Sequence, residues 1–162
     1  NNFIRSKNLD VLHNSGDIAN GEGFIYWNQK IENYALSYLF FQYLRIHSNL
    51  GLDFYRHIQQ QEVRNYQAVE NLFVDSGFLF EDLLLNFHIA MVVDSDDPNS
   101  VYGFGSEYDD FNFDVFPNVT HTESTVFPGG RLVWNLPNKE AVNSIQLNSS
   151  GDNIYYYFIS GE

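Results

Sequence analysis

Leu36, Leu39, Phe40, Tyr43, Leu44 and His47 recur at intervals of three and four residues, and no other feature constrains this chain so strongly. At 3.6 residues per turn that spacing gathers the side chains on one face, which must then be buried. It predicts a helix near 31–48. Asn33 can cap its start by accepting a bond from an orphan backbone N–H. Gly51 stands where a helix commonly ends in a left-handed residue. Three shorter helices are predicted to follow. The first is capped by Asp53 and carries Phe54, Tyr55 and Ile58. The next covers 66–76, with Asn65 as cap, Val69, Leu72 and Phe73 inward, and Gly77 as terminator. The last covers 79–93 and presents Phe80, Leu83, Leu84, Phe87, His88 and Met91 at helical spacing. Four helices with such short connections pack as a bundle or lobe.

Residues 1–30 form a turn-rich opening segment, punctuated by Asn14-Ser15-Gly16-Asp17 and Asn20-Gly21-Glu22-Gly23. Phe24 to Trp27 reads as a brief strand or as the apolar approach to the first helix. Beyond Asp94 the pattern changes. Tyr102 to Phe104, Phe111 to Phe116, Arg131 to Leu136, Val142 to Leu147 and Ile154 to Ile159 are short β-favouring runs separated by turn clusters. The expected fold class is α+β: an amino-terminal helical lobe of about four helices followed by a small antiparallel β portion. The division is 1–30 opening segment, 31–94 helical subdomain and 95–162 β-rich portion.

Fifteen Phe and 11 Tyr among 162 residues supply a core of ring on ring. A chain of this length buries roughly 70% of its unfolded surface. Twenty-one acids against eight bases give a net charge of −13, which repels phosphate backbones and anionic lipid and argues against nucleic-acid binding. There is no cysteine, hence no disulfide framework and no thiolate zinc site. No apolar run is long enough to span a membrane. The chain opens at Asn1-Asn2-Phe3 without Met or a signal segment, so the expectation is a piece of something larger.

A complete catalytic apparatus is not legible. A zinc-peptidase helix needs two histidines one turn apart with a Glu between them, so that both imidazoles reach one ion. His13, His47, His57, His88 and His121 include no such pair. His88 reads as a core-edge histidine bonded to a neighbouring carbonyl rather than a ligand. Ser106, after Gly103-Phe104-Gly105, lacks the trailing glycine of a nucleophile elbow. Asp94, Asp96 and Asn99 are candidate calcium ligands, since calcium accepts six to eight oxygens; the plainer reading is a solvated loop after a helix. Tyr34 and Tyr38 lie one turn apart on the longest helix. They read first as core or lobe-interface residues, and alternatively as hydroxyls aimed at a developing oxyanion.

On that helix, Asn33-Tyr34-Ala35-Leu36-Ser37-Tyr38-Leu39-Phe40 resembles the Tyr-x-x-Ser-Tyr-Leu-Phe helix downstream of the zinc site in bacterial zinc metallopeptidases of the hyicolysin type. Phe78 to Asp94, with Asn86-Phe87-His88-Ile89-Ala90, resembles the helix leading into that family's Trp-x-Ile-Ala segment, with Phe87-His88 in its place. Val126-Phe127-Pro128-Gly129-Gly130 resembles the turn that opens its terminal β portion. The family's His-Glu-x-x-His helix lies upstream of this region, and none of its ligands maps here. The resemblance implies the carboxy-terminal lobe of a secreted or surface-attached zinc metallopeptidase. That lobe would lack the zinc motif and shape one side of the substrate cleft without catalysing alone. Tyr34 and Tyr38 would flank the cleft. The implied partners are the upstream catalytic half of the polypeptide and a peptide or protein substrate. No cofactor is expected in this chain, with zinc in the parent. The competing reading is an extracellular binding or adhesion module, stabilised by calcium.

Overall fold

In a computed structural model of the chain, the structure describes residues 5, 7, 8, 10–12, 18, 21–105 and 126–132. The predicted lobe is present as α1 (Ile31–His47), α2 (Asp53–Gln60), α3 (Gln67–Glu70) and α4 (Phe80–Val93). Ahead of α1, the described residues at 5, 7, 8 and 10–12 are also helical, and Leu12 and Ile18 are buried in the common core. The turn-rich composition of the first thirty residues hid this fifth helical segment.

The stripe of α1 is buried as the periodicity requires: Leu36, Leu39, Phe40, Tyr43 and Leu44 are all sealed from solvent. Its start differs in detail. Lys30 occupies the cap position, and Asn33, three residues inside, accepts from the backbone N–H of Lys30 (3.2 Å) and of Asn28 (3.2 Å). The cap of α3 is Tyr66 rather than Asn65, which stands one residue earlier and accepts from the Gln67 N–H at 3.0 Å. That helix is a single turn; the chain then runs through further turns to Gly77, whose φ of +72° ends the run. Asp94, at φ +40°, closes α4 in a left-handed conformation.

Phe87 of α4 lies at the middle of the core. Its ring meets Phe40 at 5.1 Å, Tyr43 at 5.7 Å, Phe24 at 6.0 Å and Phe104 at 6.3 Å, mostly in tilted or edge-on geometry. Those arrangements set the positive ring edge against a negative face. One side chain thereby joins α1, α4, the approach to α1 and the segment after α4.

The expected α+β class is corrected by this structure. The described residues are helical and contain no sheet, with five helical segments in place of four helices and an antiparallel β portion. Tyr102 to Phe104 is irregular chain laid across the end of α1, not a strand. Side chains and backbone share its carbonyls and that of Val101 just before it: the Tyr43 hydroxyl donates to Val101 O (2.8 Å), the Ser95 backbone N–H to Tyr102 O (2.9 Å), and His47 Nε2 to Gly103 O (2.9 Å). Phe104 is fully buried against Tyr43 and Phe87. The apolar residues of this run therefore close the top of a helical core, a role that gives the same local pattern as a strand. Gly103 is required there, because a Cβ would run into the Ser95 carbonyl. The runs 111–116, 142–147 and 154–159 lie outside the described residues, as does all of 131–136 beyond Arg131 and Leu132. No described helix is long and apolar enough to cross a membrane.

Replacing Phe87 by Ala removes the shared ring and is expected to cost about 3–5 kcal/mol. Urea unfolding followed by far-ultraviolet circular dichroism measures it; a loss below about 1 kcal/mol would mean the core is not organised around this ring.

Candidate functional site

The most organised polar feature of the surface is built on Glu22. Its carboxylate is buried, yet every contact it makes is favourable. Lys30 Nζ lies at 2.7 Å, Asn28 donates at 2.8 Å, and the Asn33 amide donates at 3.2 Å. The same Asn33 amide also donates to Gly23 O. Burial alone raises the carboxyl's pKa, but the bonds from Lys30 and Asn28 and the charge of Lys30 outweigh it and hold the group below its usual range. Glu22 thus fixes the approach to α1 against the first turn of that helix.

The same approach pairs with the segment before Leu132. Gly21 N–H donates to Arg131 O (2.8 Å), Phe127 N–H donates to Gly21 O (2.8 Å), and the Ile25 and Tyr26 N–H groups converge on Pro128 O (3.3 Å each). Between them Phe127-Pro128-Gly129-Gly130 makes a turn closed by Gly130 N–H to Phe127 O at 2.8 Å. Pro128 in its second position and a positive φ of 75° at Gly129 are the marks of a type II turn. Gly23 and Gly130 lie back to back, where a Cβ on either would strike the opposite backbone. This clasp is the observed form of the Val126–Gly130 turn.

Aromatic rings cover the outside of the clasp. Tyr26 stacks on Phe127 at 5.5 Å and 9°, and Trp27 meets Tyr34 edge-on at 4.6 Å. Ile25, Tyr26, Trp27, Ile31, Tyr34 and Val126 are all about half exposed. Tyr34 therefore belongs to an exposed aromatic face, whereas Tyr38 is half-buried. One helical turn apart in sequence, the two tyrosines have different surroundings.

Asp94, Asp96 and Asn99 fall in the loop after α4. Asp94 forms the left-handed end of the helix, Asp96 is exposed, and Asn99 turns back on Asp97, to whose Oδ1 its backbone N–H donates at 2.9 Å. Among the described residues no group of three or more His, Asp or Glu side chains is arranged to hold a metal ion. The described residues thus do not fit a zinc centre, and no step through zinc is assigned to them.

His88 is partly buried, but its partner is a cation rather than a carbonyl. Arg131 Nη1 lies 3.3 Å from His88 Nδ1 and 2.8 Å from the Met91 sulfur. A guanidinium only donates, so Nδ1 must accept and the imidazole is neutral. Burial, and then the Arg131 charge, push its pKa down to about 3. His47 is also lowered by burial, although its bond to the Gly103 carbonyl opposes the shift.

No family model matches the chain. Over 102 residues the chain is 33% identical to the neutral metalloprotease ShpI of Staphylococcus hyicus. The matched stretch is related in sequence to a metalloprotease. The match takes in 59% of this chain and 23% of ShpI, so the chain spans under a quarter of that relative's length.

Sequence reasoning missed Glu22, Trp27, Phe127 and Arg131 as organising residues. The available signal was local: an acid between glycines, followed by Asn28, Lys30 and Asn33 just where a helix begins.

Two pH effects follow. The folded-state pKa of Glu22 is depressed, so its contribution is present above the ordinary carboxyl range near 4.5 and fades as pH falls through the folded value. Glu22→Gln is expected to cost about 1–3 kcal/mol at pH 7, with the gap to wild type closing in acid. Equal costs at pH 7 and pH 3 would contradict it. His88 is likewise depressed, from 6.5 to about 3, so stability drains as pH falls across that window. His88→Gln keeps an acceptor for Arg131 but does not titrate. Urea titrations at successive pH values are expected to show a shallower slope for this variant, and an unchanged slope would refute the neutral-imidazole assignment.

Proposed function

We propose that this chain is the carboxy-terminal lobe of a secreted zinc metallopeptidase of the hyicolysin type, shaping one side of the substrate cleft and inactive alone. The observation that carries the reading is the 33% identity to a neutral metalloprotease over 102 residues. On this reading zinc and the activated water belong to an upstream catalytic half of the same polypeptide, and the substrate is a peptide or protein. The polypeptide works outside the cytoplasm.

The lobe's contribution is positional. Trp27 and Tyr34 offer an exposed aromatic wall, held by the Glu22 network to the start of α1. Such a wall packs against an extended substrate and excludes water beside it. Tyr38, one turn further along α1, is the second cleft-flanking hydroxyl in this proposal.

The test uses the intact polypeptide and the 162-residue chain side by side, each supplied with zinc. The expected outcome is stoichiometric zinc and chelator-sensitive casein cleavage in the intact protein, with neither in the chain alone. Zinc-dependent cleavage by the 162-residue chain would overturn the reading. Within the intact protein, replacing Tyr34 and Tyr38 together by Phe is expected to lower kcat/KM by about tenfold or more if a hydroxyl reaches the reacting carbonyl. Unchanged turnover would remove both tyrosines from the cleft.

A further inference from the structure

Ile25, Tyr26, Val126 and Phe127 form an apolar knob on the clasp that the cleft reading leaves unused. Ile25, Tyr26 and Val126 are 50%, 52% and 43% exposed, and Tyr26 lies flat on Phe127. Ile25 in turn lies over the turn glycine Gly129. Exposed rings of this kind are costly to leave in water and mark contact surfaces when they are held rigid. Here the backbone under them is fixed by bonds between Gly21 and Arg131, Gly21 and Phe127, and Ile25 or Tyr26 and Pro128. The knob is therefore preformed, and docking it would order little further chain.

Its chemistry narrows the occupant. The chain carries a net charge of −13, yet the four side chains of the knob carry none. Glu22, in the segment leading into the knob, is buried and answered by Lys30. A partner attracted by charge would find nothing to read, whereas an apolar protein surface would. Length supplies the second argument. The region of similarity is 23% of ShpI, so more than three quarters of a polypeptide of that kind lies outside it.

We propose that the Ile25–Tyr26–Val126–Phe127 knob is the surface by which this lobe docks onto an apolar patch of the remaining part of its own polypeptide. The inference rests on the lobe reading above. It places the seam between the two parts at the clasp, with Trp27 and Tyr34 beside the seam and open to substrate. The clasp is then both the joint and the rim of the cleft.

Hydroxyl-radical footprinting of the intact polypeptide, compared with the 162-residue chain, tests it directly. Tyr26 and Phe127 are expected to lose labelling several-fold in the intact protein, while Leu52, exposed in the turn between α1 and α2, labels equally in both. Equal labelling of Tyr26 in the two samples overturns the proposal. So does protection that disappears on dilution, which would assign the knob to a second copy. Zinc-dependent cleavage by the same intact sample separates this proposal from the reading beneath it. Protection without cleavage keeps the joint and discards the peptidase; cleavage with an unprotected Tyr26 keeps the peptidase and discards the joint.

Discussion

The contact of the Phe87 ring with Phe24, Phe40, Tyr43 and Phe104 ties together four pieces of chain far apart in sequence. α1 supplies two of the four rings, and the segments before it and after α4 supply one each. None of these connecting segments has a regular backbone ladder of its own. Their positions follow from the rings they contribute to a close-packed interior, where even a small loss of volume is felt. The Tyr43 hydroxyl on Val101 O and the His47 imidazole on Gly103 O then satisfy carbonyls that a strand would have paired with another strand.

A second layer depends on this core. Because Phe24 is packed on Phe40, the preceding glycines are held close to α1, and Glu22 is drawn under Lys30. A buried carboxylate survives only when its oxygens are bonded, and here Asn28, Asn33 and Lys30 all serve that purpose. Once Glu22 is fixed, Gly21 and Gly23 present backbone that the 126–131 turn can approach closely. The aromatic surface is a consequence of that approach. Tyr26 meets Phe127, and Trp27 meets Tyr34, only because the backbone beneath them is closed. The functional reading therefore rests on geometry relayed outward from an apolar core, consistent with a lobe that positions rather than reacts.

The pattern beyond Asp94 shows how a strand reading fails. Tyr102 and Phe104 alternate with glycine, and alternation is what a half-buried strand shows. The same alternation arises when an irregular segment drops one of its two rings into a helical core and leaves the other outside. Phe104 is buried completely and Tyr102 is exposed, with Gly103 pressed on Ser95 between them. A strand would put Tyr102 and Phe104, two residues apart, on one face; here one is exposed and the other buried, which composition alone does not reveal. The separating facts are that split in burial and the Tyr43 and His47 side chains, more than fifty residues earlier, that bond the Val101 and Gly103 carbonyls.

The sequence by itself determined the helical lobe, since the stripe on α1 and that on α4 each demand burial whatever lies opposite them. It also determined that no zinc-peptidase helix is written in this chain, because that motif is a matter of spacing alone. Asn65 at the entry to α3 and Gly77 as a terminator were legible for the same reason: their chemistry acts within a few residues. Tertiary structure alone decided the rest. The clasp between 21–26 and 126–131 and the His88–Arg131 contact join segments far apart in sequence. The Glu22 network, though its members lie close in sequence, is buried only once the approach to α1 is packed on the core. No local periodicity encodes such meetings; they exist only once the aromatic core has brought those segments together.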